Sequence, residues 1–251
     1  MKNVTIKTVG DSALLIQFKQ QILPEVNEKV TGLLQQIREE KMEGIVDMIP
    51  AFCSLLIQYD SRIIRYETLK EKIERLISTK REVKKGKRKI IEIPVCYGGV
   101  FGPDIETVGR HAGITQEEVV KRHTSRDYLI YMLGFLPGFC YLGGLDERLA
   151  TPRLANPRIK IPAGSVGIGG LQTGIYPVAS PGGWQLIGRT PVKTYDTGRE
   201  HPILFEAGDY IRFVPVSQKA YAAIQKEVDR NEYQCKTYYV AEHTKKKQDR
   251  G

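Results

Sequence analysis

Polar and apolar positions alternate from the start of the chain. Val4, Ile6 and Thr8 recur at the two-residue period of a half-buried strand. Gly10-Asp11 marks a turn, and Ala13–Phe18 reads as the returning strand, which predicts a hairpin. Pro24 suits the first turn of a helix. Val26, Val30, Leu33, Leu34 and Ile37 then fall at helical spacing and form one apolar stripe, with Gly44 as its predicted stop. Ile45–Ile49 and Cys53–Tyr59 read as a second strand pair broken at Pro50. Tyr66, Leu69, Ile73, Leu76 and Ile77 mark a second amphipathic helix. The order ββαββα over residues 1–79 predicts an α+β N-terminal domain, an antiparallel sheet with both helices on one face.

The pattern then breaks. Residues 80–89 carry seven Lys or Arg against Glu82 and little apolar content, as expected of a basic linker at a domain boundary. A strand at Ile90–Val95 opens a second domain, residues 90–240. Asp104 is placed to cap a helix through Ala112, with Gly113 closing it, and Thr115 with Glu118 forms a capping box for the next helix. Across residues 128–215, short apolar runs are separated by most of the chain's glycines and prolines, which predicts a mainly β barrel or sandwich. Ser217 is the expected cap of a helix through Val228 that turns Tyr221 and Ile224 inward. Tyr238–Val240 adds an edge strand, and 241–251 is expected to be a disordered tail.

Composition narrows the class. The chain has 251 residues, 41% hydrophobic and 27% charged, an ordinary globular make-up. No apolar run approaches the roughly 18 residues of a membrane span, and no apolar stretch behind a basic start suggests a secretory leader. The net charge of +9 raises nucleic-acid binding. Nearly all of it sits in 80–89 and 241–251, however, and no basic face interleaved with aromatics accompanies it. Cys53, Cys96, Cys140 and Cys235 lack C-x-x-C spacing, and His111, His123, His201 and His243 form no H-x-H or H-E-x-x-H. Those spacings argue against a zinc motif and a disulfide framework. The expectation is a cytoplasmic protein with reduced thiols, no metal, no nucleic-acid partner and no membrane partner.

Three motifs resemble known chemistry without the context it needs. Gly183 to Thr190 has phosphate-loop spacing with Arg189 in place of Lys, but its Trp-Gln-Leu-Ile centre reads as strand and no helix follows. Gly167-Ile-Gly169-Gly170 lacks the third glycine of a dinucleotide fingerprint. Ala163-Gly164-Ser165-Val166-Gly167 resembles a nucleophile elbow, but the glycines after it oppose the required helix. No general base or nucleophile is assigned.

The density of turn residues between Tyr131 and Pro191 points to a barrel rim. Within it lie Arg153, Arg158 and Arg189, suited to carboxylate or phosphate, Gln172 and Thr173, suited to an amide, and Tyr176 and Trp184, an aromatic wall. These seven are the candidate substrate-binding residues. Composition leaves two readings open: a ligand pocket, or loops shaped by proline and glycine with arginines bonded to carbonyls.

Phe135-Leu-Pro-Gly-Phe-Cys-Tyr, Pro152 to Arg158, Ile161 to Ile168, Gln172 to Pro177 and Ser180 to Trp184 resemble the signature of the KipI/PxpB family, the 5-oxoprolinase B subunits. The family is also described as allophanate hydrolase subunit 1 and as carboxyltransferase domain C and D. The resemblance extends over residues 4–240 and includes the opening Val9-Gly-Asp-Ser-Ala-Leu. It implies a small α+β domain followed by a cyclophilin-like β-barrel, working with 5-oxoprolinase subunits C and A. That assembly opens the lactam of 5-oxoproline to L-glutamate with ATP, which this chain need not itself hold. The resemblance also carries a second role, inhibition of a sporulation sensor histidine kinase by binding, and a third, a component of allophanate hydrolase.

Overall fold

The computed structural model describes residues 4–21, 23–79 and 87–241. Residues 80–86 of the expected 80–89 linker and 242–251 of the expected 241–251 tail lie outside them, while Lys87–Lys89 and Ala241 belong to strands. The chain divides into two compact units on either side of residues 84 and 85.

In the first unit, β1 (Thr5–Val9) and β2 (Ala13–Gln17) form the expected hairpin, in register from Thr5 opposite Gln17 to Val9 opposite Ala13. β3 (Ile45–Pro50) and β4 (Ser54–Tyr59) complete an antiparallel sheet of order β1-β2-β4-β3. Leu14 and Ile16 of β2 and Leu55 and Ile57 of β4 point to one face. There they meet Val26, Val30, Leu33 and Ile37 of α1 (Pro24–Glu40) and Leu69 and Ile73 of α2 (Tyr66–Ser78). Each such aliphatic side chain contributes about 1.5–3 kcal/mol by leaving water. This is the predicted ββαββα layer. The stop of α1 differs from expectation. The helix ends at Glu40, and Lys41 takes the left-handed cap conformation, its N–H bonded to the Arg38 carbonyl. Gly44 serves packing instead, since a Cβ there would lie 2.7 Å from the Ile64 side chain.

The second unit is built around β5 (Lys87–Tyr97), which begins three residues before the predicted strand. Six further strands follow: β6 (Asp127–Leu133), β7 (Cys140–Gly143), β9 (Ser165–Gly169), β10 (Gln172–Ile175), β12 (Gln185–Arg189) and β13 (Tyr210–Pro215). The sheet runs β12-β9-β10-β7-β6-β13-β5, and pairing of β12 with β5 closes it into a barrel. β5 runs parallel to β13, while β14 (Thr237–Ala241) pairs antiparallel with its first half. A short arm, β8 (Arg158–Ile161) with β11 (Ser180–Gly182), stands apart as a two-stranded sheet.

Every second residue of these strands faces inward, so Ile93, Val95, Ile130, Leu142, Val166, Ile168, Ile175, Ile211 and Phe213 fill one core. α3 (Ile105–Ala112) and α4 (Gln116–Thr124) add Ile105, Val108 and Val119 to it. Thr115 caps α4 as predicted, accepting from the Glu118 amide at 3.3 Å. Ser217 caps α5 (Gln218–Asp229) through the Ala220 amide at 3.2 Å. Asp104 occupies the N-cap position of α3 but makes no side-chain cap bond, because its carboxylate is drawn to β12 and Arg158.

Candidate functional site

The outer face of β9 and β10 is bare by sequence. Gly167 and Gly169 alternate with the inward Val166 and Ile168, and Gly174 follows the inward Thr173. The indole of Trp184 lies against this strip: a Cβ at Gly169 would fall 2.4 Å from its Nε1, and one at Gly174 3.1 Å from its ring. Phe139 and Tyr176 meet the indole edge-on, with ring centroids 5.6 and 6.1 Å away. Ile161 and Leu186 complete a cluster that leaves Trp184 only 4% exposed. Above it, the Arg153 guanidinium stands 5.9 Å from the indole centroid, in cation–π range. Burial pushes the Tyr176 phenol pKa up, opposed by a bond from the Trp184 backbone and by the charges of Arg153 and Arg158.

The two arginines beside this cluster differ in their partners. Arg158 is committed: its Nη2 donates to the Asp104 carboxylate at 2.7 Å, and its Nη1 to the Trp184 carbonyl at 3.5 Å. The other Asp104 oxygen accepts from the Leu186 amide at 2.6 Å. Arg158 therefore ties the start of α3 to β12. Arg153 makes no ion pair among the described residues and is exposed. Gln172 stands opposite Gly169 in the β9–β10 ladder, which puts its side chain on the same outer face. No hydrogen bond engages its amide among the described residues. Arginine and amide thus remain uncommitted beside an aromatic floor.

Thr173 and Arg189 do not join them. Thr173 points into the barrel, fully buried, and donates to the Gly167 carbonyl at 3.0 Å. Its oxygen therefore accepts from His123 Nε2–H at 2.8 Å, which leaves His123 Nδ1 to accept from the Tyr97 hydroxyl at 2.8 Å. Burial lowers the His123 pKa to about 3 and raises that of Tyr97 well above its usual value, so this interior chain is neutral. Arg189 lies at the far end of β12, about 15 Å along the strand from Trp184. There it sits 5.9 Å from the Phe101 ring, which itself packs 4.6 Å from Tyr221.

The structure thus gathers Arg153, Arg158, Tyr176 and Trp184, with Gln172 on the same face, and separates Thr173 and Arg189. The look-alike motifs fold as expected from their context. The centre of the Gly183 to Thr190 segment is strand β12, with no helix after it, and Ser165 opens strand β9 with its hydroxyl buried. Among the described residues no cluster of His, Cys, Asp and Glu is arranged for a metal, and no helix is long and apolar enough to cross a membrane. Sequence reasoning missed Asp104, Phe139 and His123 as parts of the site and its support. Phe139 had a signal, its place in the Phe-Leu-Pro-Gly-Phe run, whereas Asp104 and His123 act through partners 26 to 82 residues away.

Comparison with known proteins agrees with this architecture. Residues 4–205 match the family described as carboxyltransferase domain, subdomain C and D. The chain is 44% identical over 232 residues to the 5-oxoprolinase B subunit of Bacillus subtilis, covering 88% of this chain and 97% of that protein. It is 41% identical over 219 residues to the 5-oxoprolinase B subunit of Escherichia coli O157:H7, covering 86% and 97%. Its fold also matches the K. lactis urea amidolyase with a TM-score of 0.77, at 23% identity, over 94% of this chain and 16% of that one.

Proposed function

Starting from the fact that the chain belongs to the carboxyltransferase subdomain C and D family, alongside the 5-oxoprolinase B subunits, we propose that it is the B component of a multi-subunit 5-oxoprolinase. In this reading it works with subunits C and A to open the 5-oxoproline lactam to L-glutamate with ATP. The observation that carries the reading is the uncommitted Arg153 standing over Trp184, with the Gln172 amide on the same face. A five-membered lactam is a flat ring bearing an amide and a carboxylate. An indole and its aromatic neighbours suit the ring, an amide side chain pairs with the lactam N–H or C=O, and a guanidinium grips the carboxylate. Arg158 supports the floor through Asp104 rather than reaching for the ligand.

ATP fits the partners better than this chain, because the one phosphate-loop spacing in the sequence is folded as strand β12. Protein partners have a surface beside the site. Phe135, 66% exposed, packs 5.6 Å from Phe139, and Ile159, 91% exposed, adjoins Arg158.

Purified chain mixed with its subunits C and A, 5-oxoproline and ATP should release L-glutamate, with none when the chain is omitted. Release that is indifferent to the chain would sink the reading. Arg153→Ala should lower kcat/KM about 10–100-fold through loss of a charge-assisted bond, chiefly by raising KM. The kinase-inhibitor role carried by the resemblance is separated by adding a sensor histidine kinase to the purified chain. It requires stoichiometric loss of sensor histidine kinase autophosphorylation without turnover of 5-oxoproline.

A further inference from the structure

A second hollow, of about 500 Å³, opens in the barrel unit where the first half of β5, the loop after β12 and the segment after α5 meet. None of the candidate substrate-binding residues lines it. Three cations do, Lys89, Lys193 and Arg199, against one carboxylate, Asp196.

The state of each charge decides what the hollow favours. Lys89 is paired with Asp209 at 3.0 Å. Lys193 lies 3.7 Å from Asp196, a long pair with a half-exposed lysine, and the charges of Lys193 and Arg199 both act on that carboxylate. Asp196 has another anchor, since it accepts from the Gly198 amide at 2.9 Å, a bond that leads in holding its pKa below the usual carboxylate range. Arg199 is fixed by its Nη2, which donates to the carbonyls of Lys193 at 2.9 Å and Pro202 at 3.0 Å, while its Nε–H is buried without a partner. Carbonyls do not neutralise a guanidinium, and Arg199 makes no ion pair among the described residues.

One feature could oppose an anion: α5 ends beside the hollow, and a helix C-terminus carries partial negative charge. Its last carbonyls are capped, however. The amides of Arg230, Asn231 and Glu232 donate to the carbonyls of Lys226, Val228 and Glu227. The surplus in the hollow is therefore positive, and Asn231 adds no charge to its lining.

We propose that this hollow binds a small oxyanion, a carboxylate- or phosphate-bearing metabolite, held by Arg199 and Lys193. The proposal does not rest on the lactam reading. Ile91, Val192, Leu204 and Val228 line the same space, so their methyl groups report on its contents. The full chain, methyl-labelled, is titrated by NMR with sodium phosphate, with sodium succinate, and with sodium chloride at matched ionic strength. Saturable shifts of these methyls are expected with an oxyanion and not with chloride. Saturation with phosphate alone identifies a phosphoryl ligand, and with succinate alone a carboxylate. Lys193→Gln, at an exposed side chain, should weaken binding about tenfold without disturbing the fold. Arg199→Gln should abolish binding, and Asp196→Asn should tighten it. Shifts that chloride reproduces, shifts that never saturate with either oxyanion, or affinity unchanged from the parent chain in both the Lys193 and Arg199 variants would overturn the proposal.

Discussion

Strand β10 separates two regions that treat polar groups in opposite ways. On its inner side, Thr173, His123 and Tyr97 form a chain in which each donor has an acceptor and no charge survives. On its outer side, Arg153 stands over the Trp184 indole and Gln172 shares the face, with no such partners among the described residues. A fully satisfied interior network specifies packing, because any loss leaves a buried group unbonded. Uncommitted polar groups beside a rigid apolar floor have lower structural value and are available to a ligand. The same contrast separates Arg158, bonded to Asp104, from Arg153, although both sit in one Pro-Arg-rich stretch.

This contrast can be broken most forcefully at Gly169. Gly169→Val should expel Trp184 from the glycine strip and cost about 3 kcal/mol. Trp184 is the only tryptophan, so a red shift of its emission reads the change directly, and an unshifted spectrum would show that the floor is not built as described.

His123→Gln comes next, with a loss of about 2 kcal/mol at pH 8 from a broken interior chain. The variant also tests the charge state. The folded His123 pKa lies near 3 and the unfolded one near 6.5, so the unfolded chain takes up its proton first as pH falls. The contribution of a neutral buried His123 is whole above pH 6.5 and lost progressively towards pH 3. Thermal melts should show that acid loss in the parent chain and a shallower one in His123→Gln; parallel pH profiles would contradict it.

Arg158→Ala should cost about 1–2 kcal/mol, since it leaves the nearly buried Asp104 carboxylate without its cation. The smallest stability effect belongs to Arg153→Ala, within about 0.5 kcal/mol as for an exposed side chain. The pair sharpens the comparison: Arg158→Ala should lower Tm, while Arg153→Ala should leave Tm alone and raise KM. The reverse pattern would exchange their roles.

Much of this molecule was legible in advance where the signal is local. The six elements of the first unit follow from periodicity and local turn residues, the Thr115 cap from its pairing with Glu118, and the Ser217 cap from a serine at the helix start. What escaped depends on distant partners. Asp104 looks like a helix cap until β12 arrives 82 residues later to take its carboxylate. Thr173 looks like an amide reader because a four-residue strand with a glycine inside it does not announce which side faces inward. Arg189 shares a strand end with the motif block yet points to Phe101, on a segment some 90 residues earlier whose approach no local pattern foretells.

The position of β5 has a consequence for synthesis. It is the first strand of its unit to leave the ribosome, yet its neighbours β12, β13 and β14 are among the last. Until Tyr210–Pro215 emerges, the nascent Ile90–Val95 segment has no parallel neighbour, and its apolar side stays open to chaperones or to other unfinished chains. Barrel closure therefore waits for the last strands of the unit to emerge. A ribosome stalled before Tyr210 would display an adhesive edge rather than a stable half-barrel.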